Sequence, residues 1–225
     1  MVFAADVRRG YRFRILVLTA AAAAANEVWA VILAAGASTR FGTPKQLFRW
    51  RGRTLLQHAL AHARQTVSDR VVIVTGAYAN QLDVVLGPDR AVCVYNAGWR
   101  DGMGSSIRAG IAALPGDCPA ALVMPCDQPL VDGRDLAALV GHWRKRPLRA
   151  VASGYAGIFG IPAVLPARLF PALGELHGDR GAREVLRREG HRLDVLELPA
   201  GHLDVDDRFA ASRLDDEDAG TQADR

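Results

Sequence analysis

Short apolar runs alternate with amphipathic segments through the middle of this chain, the pattern of a mainly parallel sheet covered by helices on both faces. Strands are expected at 29–33, 71–75, 91–95, 120–124 and 150–153. Helices are expected near 54–65, 80–86, 105–114, 134–143, 168–173 and 182–189. A late strand at 193–198 and a closing helix at 207–213 complete the pattern. A chain of 225 residues, half of them apolar, can bury one good-sized α/β core but not two full domains. The expected fold class is therefore α/β: a single-domain, Rossmann-like, mainly parallel sheet. In such open sheets ligands sit beyond the carboxyl ends of the strands, so the loops after the first, third and fourth strands should share one crevice.

The first of these loops is the most specific. Val31 to Lys45 reads VILAAGASTRFGTPK: an apolar strand, a turn of very small residues, then two cations. Leu33, Ala34, Ala35, Gly36 and Ser38 put almost no side chain between the backbone N–H groups and an anion, and Arg40 and Lys45 supply positive charge. The spacing excludes a dinucleotide G-x-G-x-x-G turn, and Gly36, Gly42 and Lys45 do not fit a Walker loop. The ligand expected is a nucleotide, with Arg40 and Lys45 on its phosphates.

The second loop, NAGWRDGMGSS from Asn96 to Ser106, holds three glycines and a serine pair. Glycines at that density are expected where backbone comes close to a flat ligand. The hydroxyls of Ser105 and Ser106 can either cap the next helix or, with Gly104, help read a base. The third loop holds Cys126-Asp127-Gln128-Pro129. An acid at the end of a buried strand is costly unless its charge is compensated, and Mg²⁺ bridging nucleotide phosphates would do that with one or two carboxylates. Asp127 is therefore the expected metal ligand, and Asp132 the better candidate to cap the following helix. The six histidines show no spacing of a metal site or triad, and Cys93, Cys118 and Cys126 fit neither a disulfide framework nor a zinc site. The net charge of +4 without a basic block gives no reason to expect a nucleic acid partner.

Leu33 to Lys45 matches every fixed position of L-A-[AG]-G-x-S-x-R-[MF]-G-x-x-K. By this it resembles nucleotidyltransferases that make nucleotide sugars, cytidylyl isoprenoid precursors and dinucleotide forms of the molybdenum cofactor. The N-x-x-W-x-x-G-M-x-x-S segment resembles the pyrimidine-using branch, and Gly160-Ile161-Pro162 and Gly178 to Arg183 resemble its G-x-P and G-D-x-G-A-R segments. Together, from about residue 28 to 207, the chain resembles the molybdenum cofactor cytidylyltransferase branch of the MobA-like NTP transferase family, with the fold of nucleotide-diphospho-sugar transferases. The resemblance implies CMP transfer from CTP to molybdopterin with Mg²⁺, releasing pyrophosphate, in the maturation of a molybdenum hydroxylase client. It also implies a second metal ligand in Asp204-Val205-Asp206, with Asp204 the one expected, acceptor contacts from Gly160, Asp179 and Arg180, and Ala35 as the residue favouring CTP over GTP. Two other classes stay open: an NAD(P)H-dependent reductase of dye-like heterocycles, and a factor that delivers the finished cofactor without catalysis.

Residues 28–213 are expected to form the nucleotidyltransferase domain. Arg8, Arg9, Arg12 and Arg14 before the apolar stretch 15–25 imitate an export signal, but a cytoplasmic nucleotide as substrate favours a cytoplasmic protein with residues 1–27 as an extension outside the fold. Residues 214–225 are acidic and apolar-poor, and are expected to be a disordered tail. No membrane partner is expected.

Overall fold

The computed structural model describes residues 27–87 and 91–214. The expectations for the N-terminal extension and the acidic tail fall outside these, apart from Glu27, which pairs with Arg70, and Leu214, which is buried.

β1 (Trp29–Leu33) leads through the first loop to a small hairpin, β2 (Arg49–Trp50) and β3 (Arg53–Thr54), then to α1 (Leu55–Val67) and β4 (Val71–Thr75). α2 (Ala79–Leu86), β5 (Val92–Tyr95), α3 (Met103–Ala112), β6 (Ala120–Pro125) and α4 (Gly133–Lys145) follow. The last third holds β7 (Ala150–Tyr155), β8 (Ile158–Pro166), α5 (Phe170–Gly174), α6 (Ala182–Glu189), β9 (Leu193–Glu197) and α7 (Arg208–Ser212). Seven strands form one sheet in the order β5-β4-β1-β6-β8-β7-β9, with β8 alone antiparallel to its neighbours.

The strand sequences explain the layers. β1, β4 and β6 are apolar at nearly every position because both faces are covered. Ala30, Ile32, Ile73 and Leu122 face the cluster under α1 and α4, whereas Val31, Val72, Val74 and Val123 face the cluster that includes Ile107 of α3 and Leu186 of α6. Helix starts follow local chemistry. Thr54 caps α1 in a reciprocal box with Gln57, and Asp132 caps α4 in one with Asp135, as its position before that helix led one to expect. Among the described residues, no helix is long and apolar enough to cross a membrane.

β8, like the short β2–β3 hairpin, is not among the expected strands. Gly160, Pro162 and Pro166 punctuate it like a loop, yet it lies between β6 and β7. The register supplies the reason: Ser153 pairs with Gly160 and Ala152 with Ala163, so Ile161 and Pro162 are bulged out of the β7 ladder. Proline's missing N–H costs no ladder bond there, and Ser153 Oγ donates to Pro162 O at 2.7 Å.

The far edge is tied by charge. Asp194 on β9 accepts from Arg149 Nε at 2.8 Å and lies 3.1 Å from His142 Nε2. The Arg149 hydrogen bonds hold its carboxyl below the ordinary value, so its contribution to stability is present above about pH 4 and is lost as pH falls through the depressed value. Asp194→Asn should therefore be less stable than the wild type in urea at neutral pH, with the difference shrinking on acidification.

Candidate active site

The loop after β1, the carboxyl end of β6, the bulged start of β8, the N-terminal turn of α6 and the segment before α7 line a cleft of about 830 Å³. Arg40, Lys45, Asp127, Asp204, Gly160, Asp179 and Arg180 all line it. Residues spread over most of the chain thus meet in one place, where the fold class puts ligands.

The first loop is shaped by a residue the sequence reading passed over. Gln46 is 1% exposed, and its Nε2 donates to Gly36 O at 2.7 Å and to Ala34 O at 3.1 Å. Ser38 sits in the left-handed region at φ 53°, where its Oγ donates to Gln46 Oε1 and accepts from the Lys45 N–H, both at 3.2 Å. Tyr78 adds a hydrogen bond to Ala37 O at 2.9 Å. Ala34 and Ala35 are buried and Leu33 ends β1, while Gly36 is exposed. Side chains thus hold the loop's carbonyls at Ala34, Gly36 and Ala37, and the lining of the cleft begins beyond them, at Arg40 and Lys45. Gln46→Leu should cost about 2 kcal/mol, because two carbonyls lose their donor. It should also lower turnover without moving the cleft's charges; urea unfolding and steady-state rates check both.

Lys45 is the electrostatic hub. Its Nζ donates to Asp127 Oδ2, and to Asp206 Oδ1 at 2.8 Å, while Arg40 Nη2 reaches Asp206 Oδ2 at 2.7 Å. Burial works against the Lys45 charge, but the Asp127 and Asp206 carboxylates outweigh it and hold the pKa above the ordinary lysine value. Burial raises the Asp206 carboxyl while Lys45 and Arg40 lower it, and the cations win. Asp204 is turned differently: it accepts from Gln128 Nε2 at 2.8 Å, and burial followed by the Asp127 charge pushes its carboxyl up to about 6. The segment carrying these acids is anchored by buried Val205, whose N–H donates to Asp127 O at 2.9 Å, and by Arg208, whose guanidinium stands 5.5 Å from the Phe41 ring centre.

Of the segment Asp204-Val205-Asp206 it was Asp204 that was expected at the site, yet it is Asp206 that joins Asp127 on a single cation. A divalent ion can be held by one or two carboxylates with phosphate oxygens and water, and Asp127 with Asp206 fits that donor chemistry; Asp204 lies beside them. Among the described residues no group of three His, Cys, Asp or Glu side chains is arranged to hold a metal by itself. Cys126, next to Asp127, is a buried thiol pushed up to about 12 by burial and then by Asp127, which leaves it inert at neutral pH.

The second loop is packed against the segment before α6. Gly102 has φ 83°, and a β-carbon there would meet Gly178 O and Asp179 Oδ1 at 2.6 Å. Gly104 donates its N–H to Gly178 O at 3.1 Å and leaves no room for a side chain against the Arg180 and His177 backbone. These glycines let the loop press on the segment before α6. Ser105 and Ser106 are buried and do not cap α3, whose N-cap is Gly102. Asn96 Nδ2 donates to both hydroxyls, at 2.8 and 3.1 Å, and Ser105 Oγ donates onward to the Gly98 or Gly102 carbonyl at 2.9 Å. The serine pair therefore braces the loop, and neither serine nor Gly104 lines the cleft.

A parallel sheet, a small-residue loop at its first strand and a cleft with cations set against carboxylates define an α/β nucleotidyltransferase. The chain belongs to the MobA-like NTP transferase family, whose domain model matches residues 30–193. It is 36% identical over 180 residues to the nicotine blue oxidoreductase of Paenarthrobacter nicotinovorans, covering 76% of this chain and 86% of that one. The crystal structure of Rv0371c from Mycobacterium tuberculosis H37Rv superposes with a TM-score of 0.74 at 29% identity, over 84% of this chain and 98% of that one. That protein is also known in complex with manganese, with a TM-score of 0.69 at 27% identity and the same coverage of both chains. A nucleotidyl transferase of Methanothermobacter thermautotroptrophicus shares the fold, with a TM-score of 0.73 at 21% identity over 87% of this chain and 99% of that one.

Proposed function

We propose that this protein transfers CMP from CTP to molybdopterin, forming molybdopterin cytosine dinucleotide and pyrophosphate for a molybdenum hydroxylase client. The observation that carries the reading is the meeting of Arg40, Lys45 and Asp127 in one cleft beside the small-residue loop. The acceptor phosphate is already an anion at neutral pH, so it can attack the α-phosphorus of CTP in line without a general base. The work left to the protein is positioning and charge neutralisation. Lys45 and Arg40 would turn from Asp206 to the triphosphate and stabilise the leaving pyrophosphate, while backbone N–H groups from Gly36 to Ser38 complete the cradle. Mg²⁺ would be held by Asp127 with Asp206 or Asp204, and when bound supplies charge neutralisation on the phosphates.

Ala35 and the N-x-x-W-x-x-G-M pattern favour CTP over GTP, and a cytoplasmic location follows from that substrate. With molybdopterin and Mg²⁺ present, pyrophosphate release should be faster with CTP than with GTP; equal or reversed rates would remove the base assignment. The 36% identity to nicotine blue oxidoreductase supports a second reading, reduction of a heterocycle by NAD(P)H. The chain has no G-x-G-x-x-G turn for a dinucleotide, which favours transfer.

A further inference from the structure

The far wall of the cleft carries charge that the transfer machinery described above leaves unspent. Around α6, Glu184 lies 3.6 Å from Arg180 and also pairs with Arg188, and Glu189 pairs with Arg168. Arg183 and Arg187, one helical turn apart, both line the cleft and pair with no carboxylate among the described residues. Arg183 is oriented: its Nε donates to Phe159 O at 2.8 Å, and its Nη2 passes over Gly160, where a β-carbon would lie only 3.4 Å away. On the opposite wall Arg40 and Lys45 already face Asp127 and Asp206.

We infer that Arg183 and Arg187 form an anion subsite that seats the phosphate monoester of the acceptor. The inference rests on the transfer reading above and names the residues that hold its second substrate. Side chains four apart on a helix share a face with β-carbons about 5–6 Å apart, which puts the two guanidinium groups within reach of a common phosphate once Arg187 turns toward the anchored Arg183. Planar guanidinium forks match phosphate oxygens with charge-assisted hydrogen bonds, and a neutral acceptor would leave both cations unmatched. The same monoester chemistry occurs on the 2′-phosphate of NADPH, and the experiment separates the two sources.

Arg187 is exposed, so Arg187→Gln leaves the core untouched. In steady-state assays it should raise the KM for molybdopterin about tenfold or more. The KM for CTP and the kcat at saturating acceptor should hold, and Arg187→Lys should recover part of the loss. An unchanged acceptor KM, or an equal rise in the KM for CTP, overturns the assignment. Binding keeps the subsite testable should the wild type transfer nothing, a result that would sink the transfer reading alone. In the Lys45→Ala protein, which lacks the lysine assigned to the nucleotide phosphates, calorimetry should detect inorganic phosphate. Adding Arg187→Gln should weaken that binding about tenfold. Equal affinity in both proteins overturns the subsite. Arg187-dependent binding of NADPH but not NADH would assign the subsite to the 2′-phosphate and overturn the acceptor assignment.

Discussion

Asp127→Asn should release pyrophosphate from CTP about a thousandfold more slowly than the wild type, a loss of about 4 kcal/mol of transition-state stabilisation. The substitution keeps the side chain's shape and removes only its charge. Asp127 stands at the start of the loop after β6 with its side chain 15% exposed, and its backbone carbonyl, which anchors Val205, is untouched. Lys45 keeps Asp206 as a partner, so the fold should survive; circular dichroism and thermal unfolding check that. Near-normal turnover in this variant would end the assignment of Asp127 as the carboxylate that manages charge at the phosphates.

Lys45→Ala should have the second largest effect, lowering kcat/KM for CTP by about a hundredfold or more. It also leaves Asp127 and Asp206 facing one another without the cation between them, so stability should fall as well as activity. Rates are therefore compared at a temperature where both proteins are folded. The pH dependence follows from the same contacts. The raised Lys45 pKa means that its contribution to stability is fully present below the ordinary value of 10.5 and is lost only as pH rises through the higher folded value. Wild-type turnover should accordingly show no decline between about pH 7 and 9 from loss of the Lys45 proton.

The parallel half of the fold was legible because its strands are continuous apolar runs buried on both faces, so β1 and β4 fall at the expected bounds. α6 does too, since Val185 and Leu186 face inward while its charged residues do not. β8 was hidden because its glycine and prolines read as turn residues, and only pairing with β7 shows that Pro162 sits in a bulge. In the site, Arg40, Lys45 and Asp127 stood out because charges beside small-residue or buried segments demand compensation. Gln46 carried no such signal, and the segment Asp204-Val205-Asp206 did not mark Asp206 over Asp204. A lone glutamine after a lysine has no spacing to mark it, and Asp206 gains its role from contacts with Lys45 and Arg40, 161 and 166 positions away. In the second loop, Gly102 and Gly104 stand where the backbone comes close to the segment before α6.

Nucleotidyl transfer is followed most directly at the α-phosphorus. The purified protein is incubated with Mg²⁺, molybdopterin and CTP or GTP labelled at the α-phosphate, and the pterin product is examined for label. Label should pass from CTP to the pterin with release of unlabelled pyrophosphate, and much less should pass from GTP. Transfer from neither nucleotide, with oxidation of NADPH in the presence of a heterocyclic dye instead, would contradict the account.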